Sequence, residues 1–167
     1  MSVSLTPTSY IVLGLLETVG KGTPYDLKGM VAVSIGNFWS LHHAQLYTEP
    51  ERLAAAGLLT EKRENGGRRR KTYSLTARGR KALEEWRETP TEELSELRDP
   101  ALLKLFLGAD PATLAEPQLE AHRRKLEEYE TRRDADPGDG PRGPWIALEA
   151  GIAHEHVWIE FWENLAG

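Results

Sequence analysis

Arg68, Arg69, Arg70, Lys71, Arg78 and Arg80 place six cations within thirteen positions, directly after Asn65-Gly66-Gly67. Such a run does one kind of chemistry well. Its charged N–H groups bond phosphate oxygens, and each contact displaces a condensed counterion. A run of like charge is also what an ordinary solvated turn looks like. The rest of the chain separates the two readings. The protein has 167 residues and a net charge of −5. Residues 1–81 hold 12 Lys/Arg and 6 Asp/Glu, a net of +6, whereas residues 82–167 hold 9 and 20, a net of −11. A basic module inside an acidic protein points to a large anionic partner, and nucleic acid is the commonest.

Other residues could do different chemistry. His42, His43, Gln45 and Tyr47 form a polar cluster upstream. At the start of a helix docked in a major groove, Gln45 can pair with adenine, and the histidines can reach bases or phosphates. His154, Glu155, His156 and Glu160 invite a metal. Only His156 and Glu160 are four apart and share a helix face, and zinc wants three or four convergent ligands, so no metal site is assigned. Trp145, Trp158 and Trp162 are rigid aromatic platforms near the C-terminus. They are the candidates for an aromatic effector, against the plainer role of packing a core or an interface. No G-x-S-x-G, H-E-x-x-H or phosphate-cradling glycine loop occurs, so no catalytic residue and no cofactor is expected. There is no cysteine, which removes disulfides and thiolate chemistry and suits a reducing cytoplasm. The apolar run Tyr10 to Leu16 is far shorter than a membrane span. The segment before it has no Lys or Arg, so no secretory signal is read there and the protein is expected in the cytoplasm.

The elements that must hold these residues follow from breakers and periodicity. Thr8 or Ser9 is expected to cap a helix from Tyr10, and Pro24 to open a second whose inner face is Tyr25, Leu27, Met30, Val31 and Ile35. Ser40 is expected to cap a third, over 41–56, with Gly57 ending it. Pro50 lies inside that span and predicts a kink or a restart near Thr48. Two short strands flank Asn65-Gly66-Gly67, a strong hairpin signal, and Thr76 caps a fourth helix that stops before Thr89-Pro90. Three helices, a hairpin and a helix make a winged helix-turn-helix. Downstream, Asp99-Pro100 and Asp110-Pro111 each start a helix. Leu119, His122, Leu126 and Tyr129 form one stripe of a long helix. Leu148, Ile152, Glu155, Ile159 and Trp162 mark one face of the last. The fold class is therefore mainly α: a DNA-binding domain over 1–88 with a two-stranded β-wing, and a C-terminal helical dimerisation or effector domain over 89–167.

Three stretches carry a resemblance. "LGLLETVGKGTPYDLKGM", "HHAQLYTEPERLAAAGLL" and "RRRKTYSLTARGRKAL" resemble the PadR family of bacterial transcriptional regulators over residues 8–88. The wing is the most specific match, because basic residues, Tyr73, Leu75, Thr76 and Gly79 fall in order. Pro50 departs from the family's usual leucine. The resemblance implies a homodimeric repressor on a palindromic operator, relieved by a small aromatic effector, with the C-terminal helices as the dimer contact. It also implies that Tyr47 touches the DNA backbone. The residues expected on duplex DNA are Ser40, His42, His43, Gln45 and Tyr47 from the third helix, and Arg68, Arg69, Arg70, Lys71 and Tyr73 from the wing. Two other functions compete with this reading: a winged-helix module that binds protein, and a ligand or metal sensor built on the C-terminal helices.

Overall fold

The computed structural model describes residues 3–63 and 70–166. The chain divides into two compact units, Met1–Glu93 and Leu94–Gly167. Among the described residues there are seven α-helices and two strands, and no helix is long and apolar enough to cross a membrane.

The first unit begins with α1, Pro7–Val19. Thr6 rather than Thr8 or Ser9 is its cap. Pro7 has no N–H to lose at the first helical position. Ser9 bonds back to the Thr6 N–H at 2.9 Å, closing a capping box. Val12, Leu13 and Leu16 are fully buried, each worth about 1.5–3 kcal/mol of transfer free energy. The helix ends at Gly20, whose φ of 75° suits a residue without Cβ.

The second helix, α2, spans Pro24–Ala32 and is capped by Thr23 and Asp26 in the same reciprocal way. Leu27 and Val31 face inward, but Tyr25 is 76% exposed and leaves the expected inner face. Two residues from Leu27, it points to the opposite side of the helix. Ile35 lies beyond α2, in a 3-10 turn over Ile35–Asn37.

The third helix, α3, spans Gln45–Ala55. Ser40 does not cap it. The first amides bond turn carbonyls instead, Gln45 N–H to His42 at 2.9 Å and Leu46 N–H to His43 at 3.1 Å. The helix runs without interruption through Pro50, so no restart occurs at Thr48. Pro50 gives up one backbone donor, and its fully buried ring packs on the inner face with Leu46 and Leu53.

The strands β1, Leu59–Arg63, and β2, Lys71–Leu75, pair antiparallel with Leu59 opposite Leu75 and Arg63 opposite Lys71. Gly22 adds a third rung beside β2: its N–H and C=O both bond Tyr73, at 3.0 and 2.8 Å. The expected hairpin turn at Asn65-Gly66-Gly67 lies outside the described residues.

Thr76 caps α4, Ala77–Glu88, as expected, and its hydroxyl also donates to the Gly57 and Leu58 carbonyls. Gly79 has no alternative here. A Cβ would lie 2.2 Å from the Leu58 carbonyl oxygen.

The second unit holds α5, Pro100–Phe106, α6, Pro111–Asp134, and α7, Arg142–Ala166, with Asp99 and Asp110 capping the first two. The last two helices run antiparallel. Its core is Ala101, Ala115, Leu119 and Trp162, and the expected face of α7 is the one that turns inward. The helices come close at Gly151, where a Cβ would sit 3.0 Å from the Tyr129 ring.

Candidate nucleic-acid interface

The first turn of α3 and the base of the hairpin belong to one unit. Ser40, His42, His43, Gln45 and Tyr47 are all exposed, and Tyr47 keeps 46% of its surface. Leu46, between Gln45 and Tyr47, is buried, so the helix turns its apolar side inward and presents this polar edge to solvent. Ser40, His42 and His43 precede the helix. Gln45 and Tyr47 lie in its first turn, where docked recognition helices meet base edges.

A polar network fixes how α3 sits on α1. Ser9, fully buried, donates its hydroxyl to Glu49 Oε1 at 2.5 Å. Arg52 clasps the same carboxylate through Nε at 2.9 Å and a terminal nitrogen at 2.6 Å, and reaches the Ser4 carbonyl at 3.0 Å. Burial works to raise the Glu49 pKa, but the bonds from Arg52 and Ser9 together hold it below the ordinary carboxyl value. This cluster was not read from the sequence. The Glu49–Arg52 spacing of three is a helical signal, but Ser9, forty residues away, offered none.

At the hairpin, Arg70 is exposed, and its charge helps depress Asp26, whose largest perturbation is the backbone bond from Thr23. Arg68 and Arg69 lie outside the described residues. Lys71 is paired with Glu51 of α3 and lies 3.6 Å from Glu61 of β1. Tyr73 corrects an expectation. Its ring is fully buried, and its hydroxyl donates to Glu61 at 3.1 Å. Facing the core from the pleat it shares with Leu75, it has no surface left for DNA. Burial first, then the Glu61 bond, pushes the Tyr73 hydroxyl well above its ordinary pKa, so it stays a neutral donor. The bond from Arg63, ahead of the Tyr73 bond and the Lys71 charge, holds the Glu61 pKa below the ordinary carboxyl value.

The second unit accounts for the other candidates. Glu155 is buried against His122, Nδ1 to Oε2 at 2.6 Å. His154 accepts a bond from the Trp158 indole at 2.9 Å. Among the described residues no group of three or more His, Asp or Glu could hold a metal. Trp162 corrects the effector list. It is fully buried, so no face is open to a ligand, and its indole N–H has no partner among the described residues. Trp158 stacks on His122 and meets Phe161 edge-on, and Trp145 is 44% exposed.

Comparisons with known proteins give the chain its relatives. Residues 12–85 match the profile of the transcriptional regulator PadR-like family, and residues 97–166 match that of the virulence activator alpha C-terminal region. The negative transcriptional regulator PadR of Bacillus subtilis (strain 168) is 29% identical over 130 residues, covering 72% of this chain and 70% of that protein. The crystal structure of Bacillus subtilis PadR with operator DNA superposes with a TM-score of 0.83 at 24% identity, over 95% of this chain and 96% of that one. The same protein with p-coumaric acid gives 0.78 at 23%, over 98% and 97%.

Proposed function

Because the chain belongs, through residues 12–85, to the transcriptional regulator PadR-like family, we propose that this DNA-binding regulator is a homodimeric repressor on a palindromic operator. One observation carries the dimer. The second unit leaves Leu103 and Phe106 of α5, Leu107 just after it, and Ile146 and Val157 of α7 between 50% and 88% exposed. So much apolar surface on two helices needs a cover, and a second copy supplies it symmetrically. The repressor sense rests on the name of the Bacillus subtilis relative, a negative regulator.

In this reading each protomer sets α3 in a major groove. Gln45, His42 and His43 face bases, while Ser40 and Tyr47 contact the backbone. The wing lays Arg70, with Arg68 and Arg69, along the adjacent phosphates. The protein works in the cytoplasm, beside its DNA. The p-coumaric acid complex of the Bacillus subtilis protein supports a small aromatic effector here, met by Trp145 or Trp158 and not by Trp162. Titrating p-coumaric acid against tryptophan fluorescence tests that point, and an unchanged signal removes it.

Selection of bound duplexes from a random pool, with sedimentation of the free protein, tests the whole. The expected result is an inverted repeat with half-sites about 34 Å apart, bound by a dimer. A monomer that selects an unsymmetrical site overturns the homodimer.

A further inference from the structure

The cations of the hairpin are not alike. Arg70 is exposed, but the side chain of its neighbour Lys71 keeps only 30% of its surface. The Lys71 ammonium touches Glu51 of α3, and Glu61 of β1 lies 3.6 Å away. Glu61 is held in turn by Arg63 at 2.8 Å and by the buried Tyr73 hydroxyl. Lys71 and Arg63 are cross-strand partners, so without the two carboxylates two cations would oppose each other on the sheet. A cation already flanked by two carboxylates carries no local excess of positive charge, and it gains little by exchanging them for phosphate.

We infer that Lys71 is a positioning residue and not a phosphate contact: through Glu51 it braces the base of the wing against α3 and sets the offset between the two DNA-reading elements. The inference rests on the chain being a DNA-binding regulator. It divides the basic run by role, Arg70 facing outward to the nucleic acid and Lys71 facing inward to the recognition helix.

The dependence of binding on salt separates the two roles. A lost phosphate contact makes the slope of log K against log salt shallower by about 0.9, whereas a lost brace leaves it unchanged. The probes are a duplex recovered from the random pool and an unselected duplex of random sequence. Arg70→Gln should flatten the slope on both. Lys71→Gln should keep the parent slope and the parent affinity for the unselected duplex, while weakening the selected one about two- to fivefold, the span of a partly exposed ion pair. Glu51→Gln should do the same, and the double variant should be no worse than either single, because both ends of one contact are gone. A Lys71→Gln slope shallower by about 0.9 overturns the inference. So does a Glu51→Gln protein that binds the selected duplex more tightly, since Glu51 would then compete with phosphate. A parent protein that retained neither duplex would defeat the DNA-binding reading itself, which is a different failure.

Discussion

Replacing Glu49 by Gln probes how the recognition helix is held, because it removes a charge and almost no volume. Glu49 keeps only 12% of its side-chain surface and accepts three bonds, two from Arg52 and one from buried Ser9. A hydrogen bond to a charged group is worth roughly 1.5–3 kcal/mol and a neutral one about half that. Arg52 is 37% exposed, so water recovers part of its loss. The net expectation is about 1.5 kcal/mol. For a unit of this size that lowers the melting midpoint by about 6–12 °C. Thermal unfolding followed by circular dichroism reads it directly. The pH dependence supplies an internal control. The Glu49 pKa is lowered in the folded state, so its stabilisation is fully present above the ordinary value of 4.5 and is lost as pH falls through the folded value. The gap between parent and variant should therefore be widest near neutrality and narrow in acid. A gap below about 0.5 kcal/mol, or one that does not change with pH, would refute the assignment of the clasp to charge.

Two further substitutions test packing. Gly79→Ala puts a methyl group against the Leu58 carbonyl oxygen at 2.2 Å, so α4 must shift away from the backbone just before β1. Such overpacking costs about 1–3 kcal/mol, and an unchanged urea midpoint would show that the helix start yields freely. Trp162→Phe removes a buried indole N–H that has no partner among the described residues. The relief of an unsatisfied donor, about 1–3 kcal/mol, offsets a cavity term of similar size, so the variant should lie within about 1 kcal/mol of the parent. A loss of 3 kcal/mol or more, the usual cost of truncating a buried aromatic to alanine, would show that the indole nitrogen is satisfied after all.

Local rules made much of this fold readable. Thr76, Asp99 and Asp110 are capping residues next to clear breaks, and each starts the helix expected of it. The inner face of α7 followed from spacing alone, down to buried Glu155. The failures have a common cause. Ser40 precedes an apolar-periodic stretch as a cap should, but the chain between Ile35 and Ala44 closes its own turns, and α3 opens on those carbonyls. Tyr73 stands in a basic run, yet strand alternation turns it to the core. Lys71 and Glu51 are twenty residues apart, as no helix or hairpin rule would pair them, and only the packed unit brings them together. Trp162 and Trp158 are alike in sequence terms and, four apart, share a face of α7; they differ in depth, Trp162 fully buried and Trp158 only partly so.

The pleat of β2 reaches further than its five residues. Side chains alternate along a strand, so sliding this hairpin by one position would expose the Tyr73 ring and sink Thr72 in its place. It would also break the double link to Gly22. The tyrosine thus acts as an index pin. By seating only one way, it fixes which side chains of β2 turn to the core and which turn to solvent. A single residue added between Tyr73 and Leu75 would put one of them on the wrong face.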